Sequence, residues 1–218
     1  RVAMVAVESA VPQLLEYAHG VIDAGKHLHL DKPAGASLPE FERLLEKAEQ
    51  RDRLVQMGYL FRYNPGFDLM RRAVHEGWLG PVYSIQASMC TNLSAEKRKT
   101  IAWHPGGIMF ELGCHLIDMV HLLLGPPSRV TSVLRHDAAQ DDGLVDNALA
   151  VLQYEQGMAV IETAAMEVDA FPGRRFKVCG PDGKIVLEPL EPPHARLHLR
   201  RSVDDFKAGK HEIELVQA

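Results

Sequence analysis

Two incompatible hydrophobic rhythms divide this chain near residue 63, and no single layer of secondary structure accommodates both. Before that point short apolar runs alternate with helical patterns. Residues 2–7 read as a buried strand, 11–24 as a helix closed by Gly25, 27–31 as a second strand and 54–60 as a third. Ser37-Leu38-Pro39-Glu40 has the form of a capping box, and Phe41, Leu44, Leu45 and Ala48 give the helix behind it an apolar stripe. Alternation of this kind predicts a parallel sheet with right-handed crossovers. After Asn64-Pro65 a helix is expected to about His75. Long two-period runs then begin near residues 82–90, 130–136, 148–154 and 158–165, with Glu155-Gln156-Gly157 and Pro181-Asp182-Gly183 as hairpin turns. The expected fold class is α/β. Residues 1–62 should form part of a doubly wound parallel sheet, and residues 63–218 an α+β domain with an open, mainly antiparallel sheet.

With 46% hydrophobic residues among 218, the chain can bury a core of its own. A net charge of −5 and dispersed Lys and Arg give no basic stripe for nucleic acid, and no run of about 18 uncharged apolar residues offers a membrane span. A small polar metabolite is the expected partner. Cys90, Cys114 and Cys179 are odd in number and widely spaced, which argues against a disulfide framework or a CxxC metal site. His27, His29, His104 and His121 lack a ligand spacing and are read as surface or structural histidines, so no metal is expected. No signal peptide is visible, and the expected compartment is the cytoplasm. The chain enters an apolar strand directly from Arg1 and stops in the strand-like alternation of residues 212–218, so truncation at both ends is expected.

The chemistry concentrates in Gly106-Gly107-x-x-x-Glu111-x-Gly113-x-His115-x-x-Asp118. At 100° per residue, the i, i+4, i+7 spacing puts Glu111, His115 and Asp118 within a helical sector of about 60°. Leu116, Ile117, Val120, Leu123 and Leu124 fall on the other side, and Gly113 there would let the helix approach a sheet closely. A second cue is Asp31-Lys32-Pro33, at the carboxyl end of a strand, where open α/β sheets collect ligands. Proline fixes the backbone there and would hold Lys32 in one direction. By itself such a tripeptide is most often a turn.

Four segments, in order, resemble the signatures of the glucose-fructose oxidoreductase, inositol dehydrogenase and MocA family. They are Gly25-Lys26-His27-Leu28-His29-Leu30-Asp31-Lys32-Pro33, Gly58-Tyr59-Leu60-Phe61-Arg62-Tyr63-Asn64-Pro65, Gly77-Trp78-Leu79-Gly80-Pro81-Val82 and the stretch from Gly106 to Asp118. The resemblance covers roughly residues 1–190. It implies the C-terminal part of a Rossmann domain binding NAD or NADP in residues 1–62, then a substrate-binding and oligomerisation domain in residues 63–218. The activity implied is reversible oxidation of a hydroxyl on a sugar, cyclitol or related polyol, in a homo-oligomer, dimer or tetramer. Lys32 matches the lysine of the family's EKP motif, with Asp31 in place of the usual glutamate. His115 matches the catalytic histidine, Glu111 stands where an aspartate is more typical, and Asp118 matches the acidic residue that holds substrate or orients its neighbours. Ser9-Ala10-Val11 occupies the place of a Thr-Pro-Asn segment near the cofactor.

Removing a hydride from a secondary alcohol requires that the hydroxyl proton leave as the carbonyl forms, so the site needs a base near neutral pKa and a cation for the developing alkoxide. On the resemblance, His115 accepts the proton, Glu111 orients or charges the imidazole, Lys32 steadies the alkoxide and Asp118 fixes another hydroxyl. Ser9, Asp31, Lys32 and Pro33 are the cofactor-binding residues. Trp103 either covers the nicotinamide or is an ordinary packing aromatic, and Arg62 either reaches the substrate crevice or pairs with a nearby carboxylate. Lys97-Arg98-Lys99 is read as a loop that meets an acidic substrate or is simply solvated. The family's GxGxxG turn would lie before Arg1, so tight dinucleotide binding is not expected of residues 1–218 alone. That absence also supports a competing reading, a non-catalytic sugar-binding or scaffold remnant. A third reading uses NAD transiently to cleave a glycosidic bond.

Overall fold

The structure, a computed structural model, describes residues 2–104 and 106–215. The chain divides into two compact units, Arg1–Tyr59 and Leu60–Ala218. In the smaller unit β1 (Met4–Val7), α1 (Val11–Asp23), β2 (His27–Leu30), α2 (Leu38–Gln50) and β3 (Val55–Met57) follow one another, and the strands pair in parallel in the order β1-β2-β3. The Ser37 hydroxyl accepts the Glu40 N–H at 3.4 Å, so the capping box closes on its backbone side. Leu14, Leu15, Ala18 and Ile22 of α1 and Leu44 and Ala48 of α2 pack with Val7, Leu28 and Leu30. The third strand is shorter than its apolar run suggests. The Gly58 N–H still bonds the Leu30 carbonyl, but residues 60–63 then turn into a 3-10 helix, which delivers Asn64 as the cap of the next helix.

In the larger unit that 3-10 turn (Leu60–Tyr63) leads into α3 (Pro65–His75), where the Asn64 side chain accepts the Gly66 N–H at 2.8 Å. There follow β4 (Ser84–Ser88), α4 (Ala95–Ile101), a π-helical turn (Met109–Gly113) and α5 (Cys114–Leu124). The remainder comprises β5 (Arg129–Arg135), β6 (Asn147–Gln153), β7 (Met158–Ala164), the single turn α6 (Ala170–Gly173), β8 (Arg175–Gly180), β9 (Gly183–Leu190), β10 (Pro193–Leu199) and β11 (Gly209–Ile213). One eight-stranded sheet runs β11-β10-β9-β8-β4-β7-β6-β5; every pair is antiparallel except β4 with β7. Glu155–Gly157 and Pro181–Asp182 connect hairpins, as their turn residues predict. The tail pairs only as far as β11, and of the alternation expected over residues 212–218, residues 216–218 lie outside the described residues.

The core of this unit lies between one sheet face and α3 and α5. Ile85, Ala87, Ala159, Ile161, Phe176, Val178, Ile185 and Leu187 meet Phe67, Met70, Leu116, Met119, Val120 and Leu123. Each large apolar side chain buried here contributes about 1.5–3 kcal/mol. On the opposite face a row of cross-strand neighbours reads Thr131, Val151, Val160, Gln86, Lys177, Val186, Arg196 and Glu212. In that row β6 and β7 present Val151 and Val160, beside the pair Leu149 and Glu162 on the same face, and charge gathers towards β11. Among the described residues no helix is long and apolar enough to cross a membrane.

Candidate functional site

The Gly106-Gly107 turn is built by its neighbours. Gly107 has φ +52, its Cβ position collides with the Val145 carbonyl oxygen, and the Ile108 N–H bonds that same oxygen at 2.9 Å. The chain then enters a π turn rather than an α-helix. This corrects the helical sector expected for Glu111, His115 and Asp118, because a π turn carries i to i+5 bonds and does not advance 100° per residue. A Cβ on Gly113 would strike the Met109 sulfur and lie 3.4 Å from Thr163 on β7, so Gly113 does allow the expected close approach to the sheet. From Cys114 onward the helix is regular. His115, Leu116, Met119, Val120 and Leu123 are buried, whereas Ile117, expected to pack, is 39% exposed.

His115 is 2% exposed, and its ring lies 5.5 Å from that of Phe61. Phe61 stacks on Phe67 at 4.8 Å, and Phe67 meets the edge of Phe176 on β8 at 5.1 Å. This aromatic column fixes the imidazole against the sheet. Asp118, one helical turn on, has a side chain only 8% exposed and accepts both forks of Arg62, from Nε at 2.8 Å and Nη2 at 2.6 Å. Arg62 therefore sits in the 3-10 turn rather than after a strand, and it makes the carboxylate pair that was one of its two readings.

Glu111 Oε2 lies 3.7 Å from Nδ1 of His104. His104 is buried, edge-on to Trp103 at 4.3 Å and to Phe110 at 5.5 Å. Trp103 itself is 43% exposed, and its Nε1 donates to the Thr100 carbonyl at 2.9 Å. Sequence reasoning did not single out His104 for the site; its position next to Trp103, just before the Gly-Gly turn, was the available signal.

A larger correction concerns Lys97-Arg98-Lys99. These residues form no loop: the Ser94 hydroxyl accepts the Lys97 N–H at 3.2 Å and starts α4. Arg98 is not solvated. It is 2% exposed, and it donates to Asp142 from Nε at 2.5 Å and Nη2 at 3.0 Å, and to Asp146 from Nη2 at 2.7 Å. The Arg98 hydrogen bonds hold the Asp142 carboxyl below its ordinary value. Burial pushes Asp146 up, but the Asp137 N–H, Arg98 and the Ala138 N–H more than offset it and leave its pKa lowered.

Ser9, Asp31, Lys32 and Pro33 belong to the smaller unit. The Asp31 N–H continues the ladder by bonding the Val7 carbonyl at 3.0 Å, and a Cβ on Gly58 would come within 3.0 Å of Asp31 Oδ1. Lys32 thus stands just past the carboxyl end of β2; the Lys32-Pro33 bond is cis, and Pro33 is buried. Ser9 lies two residues beyond β1 and just before Ala10, the N-cap of α1, whose first turn carries neither an acidic residue nor a side-chain cap. These strand ends and the uncapped helix start suit an anionic, hydroxyl-rich ligand such as a dinucleotide. No group of three or more His, Cys, Asp or Glu among the described residues is placed to hold a metal ion.

Residues 67–186 match the family model described as the GFO/IDH/MocA C-terminal domain. The chain is 26% identical over 200 residues to the scyllo-inositol 2-dehydrogenase (NAD(+)) of Bacillus subtilis, covering 86% of this chain and 57% of that protein. Its fold is similar to that of an inositol dehydrogenase homolog from Azotobacter vinelandii complexed with NADH and myo-inositol, with a TM-score of 0.84 and 18% identity over 97% of this chain and 55% of that one. It is likewise similar to an aldose-aldose oxidoreductase from Caulobacter crescentus complexed with glycerol, with a TM-score of 0.85 and 20% identity over 99% and 64%. The chain thus spans somewhat more than half the length of these proteins.

Proposed function

The chain belongs to the GFO/IDH/MocA family, and from that premise we propose that the whole protein is an NAD(P)-dependent oxidoreductase acting on a hydroxyl of a sugar, cyclitol or related polyol. The observation that carries this reading is the buried imidazole of His115, backed by Phe61 and one turn from the Arg62-clamped Asp118, with His115 and Asp118 among the residues that match the family model. The names of the relatives support the substrate class.

When bound, the nicotinamide supplies a two-electron acceptor for hydride. Ser9, Asp31, Lys32 and Pro33 would hold the dinucleotide. His115 takes the hydroxyl proton, and its buried, aromatic-backed position keeps bulk water from competing for it. Lys32 stabilises the developing alkoxide as a compact point charge. Glu111 acts on the imidazole side of the site together with His104. Asp118, steadied by the Arg62 fork, accepts a hydrogen bond from a second substrate hydroxyl.

Fluorescence titration of NADH and NADPH into the whole protein, followed by a polyol panel with each oxidised cofactor, tests the reading. In the same assay Lys32→Met should lower kcat by about 10²–10³-fold with a much smaller change in KM. Turnover near the wild-type rate would end the assignment of Lys32. The apolar part of the open sheet face, around Val151 and Val160, is proposed as the contact between copies in a dimer or tetramer.

A further inference from the structure

We infer that Arg98 is a positioning residue for the reaction assigned to His115, acting through Asp146 and Val145 on the turn that presents Glu111. The inference rests on the dehydrogenase reading for its kinetic arm and on geometry alone for its spectroscopic one.

The links are continuous. Arg98, on α4, grips Asp142 and Asp146 together. Asp146 is fully buried and spends its remaining acceptor capacity on backbone: the Asp137 N–H at 2.8 Å and the Ala138 N–H at 3.2 Å. Its own N–H bonds the Arg135 carbonyl at 3.0 Å and its carbonyl takes the Ala165 N–H at 2.8 Å, so it is tied to the ends of both β5 and β7. The neighbouring residue, Val145, carries the carbonyl that receives the Ile108 N–H and blocks any side chain at 107. Met109 begins the π turn directly afterwards, and His115 follows two residues beyond its end. A second arm leaves the other end of α4, where His104 comes within 3.7 Å of Glu111. Arg98 thus sits at the root of both segments that bracket Glu111.

Net stability alone does not account for such a cluster, since well-packed apolar residues often replace a buried ion pair at no loss. What the planar guanidinium supplies is geometry, because one fork fixes two carboxylates from two points of the 136–146 loop at once. A lysine keeps the charge but offers a single ammonium and loses the bidentate grip on Asp142. A shift of about 1 Å in the segment behind a catalytic group is enough to cost on the order of 10²-fold in rate.

The test uses the whole protein with Arg98→Lys and Asp142→Asn, read by steady-state kinetics and by the imidazole 15N resonances of His115. Arg98→Lys should lower kcat by about 10- to 100-fold while KM for the dinucleotide stays within about twofold, and the His115 resonances should move. Asp142→Asn, which keeps the Arg98–Asp146 pair, should show the same changes at smaller size and carries the test if Arg98→Lys does not fold. Wild-type kcat together with unmoved His115 resonances in the folded variant overturns the inference, as does a kcat loss matched by an equal loss of folded protein. If the wild-type protein oxidises no polyol, the dehydrogenase reading fails separately, and the His115 resonances still decide the positioning claim.

Discussion

Gly107 holds a backbone conformation that L side chains rarely adopt, with the Val145 carbonyl oxygen where a side chain would start. Gly107→Ala must strain the backbone and push away the carbonyl that accepts the Ile108 N–H, so it should destabilise the protein by roughly 2–4 kcal/mol. Urea denaturation measures this, and an unchanged midpoint would refute the account. The Gly-Gly pair was readable as a turn, but its cause was not, because Val145 lies far along the chain. Arg98 was misread for the same reason: its carboxylate partners stand 44 and 48 residues away, and a run of three cations does not reveal which one points inward. The local signal was its i, i+3 spacing from the buried Ile101, visible once Ser94 is recognised as a cap. His115 and Asp118 do share one regular helix, which their spacing was enough to predict.

Elements whose ends are written in local chemistry matched their expected places. Ser37 caps α2, Asn64-Pro65 starts α3, and two glycine-containing turns join hairpins. The π turn was not legible, since a periodicity argument presumes the helix type that it sets out to find. The connection between β5 and β6 offers a test of its own. His136 Nδ1 lies 2.7 Å from the Leu144 carbonyl, and 3.6 and 3.8 Å from the Asp146 and Asp142 carboxylates, with Arg98 the other cation on those groups. The Leu144 carbonyl is the main cause that raises the His136 pKa; burial opposes it and the two carboxylates add to it. A raised folded pKa gives stability that is fully present below the unfolded histidine value and is lost as pH rises through the folded one. Thermal stability should therefore decline as pH climbs above about 6.5, and His136→Asn should flatten that decline. Arg135, with Asn147, holds Asp137 at about 2, so the opposite loss comes as pH falls from about 3.9 toward that value. Melting temperatures across this range decide; an equally steep alkaline slope in His136→Asn counts against the assignment.

The chain divides into two compact units, each with its own apolar cluster. What the rhythms could not reveal was strand order, because alternation specifies a face and not a neighbour. The proposed contact between copies belongs to this scale. Light scattering at micromolar concentration should find a dimer or tetramer, and Val151→Glu on the open face should shift it to monomer; a monomeric wild type would remove the proposal. The sheet also carries a consequence for how the molecule comes to exist. β5 to β7 and β8 to β11 are ladders of sequence-adjacent strands, each able to zip up from its own turns, whereas β4 is slotted between them beside β7 and β8. A ribosome releases β4 long before either of its flanks, so β4 cannot be paired along both edges until Arg175–Gly180 has emerged and the gap between β7 and β8 is complete.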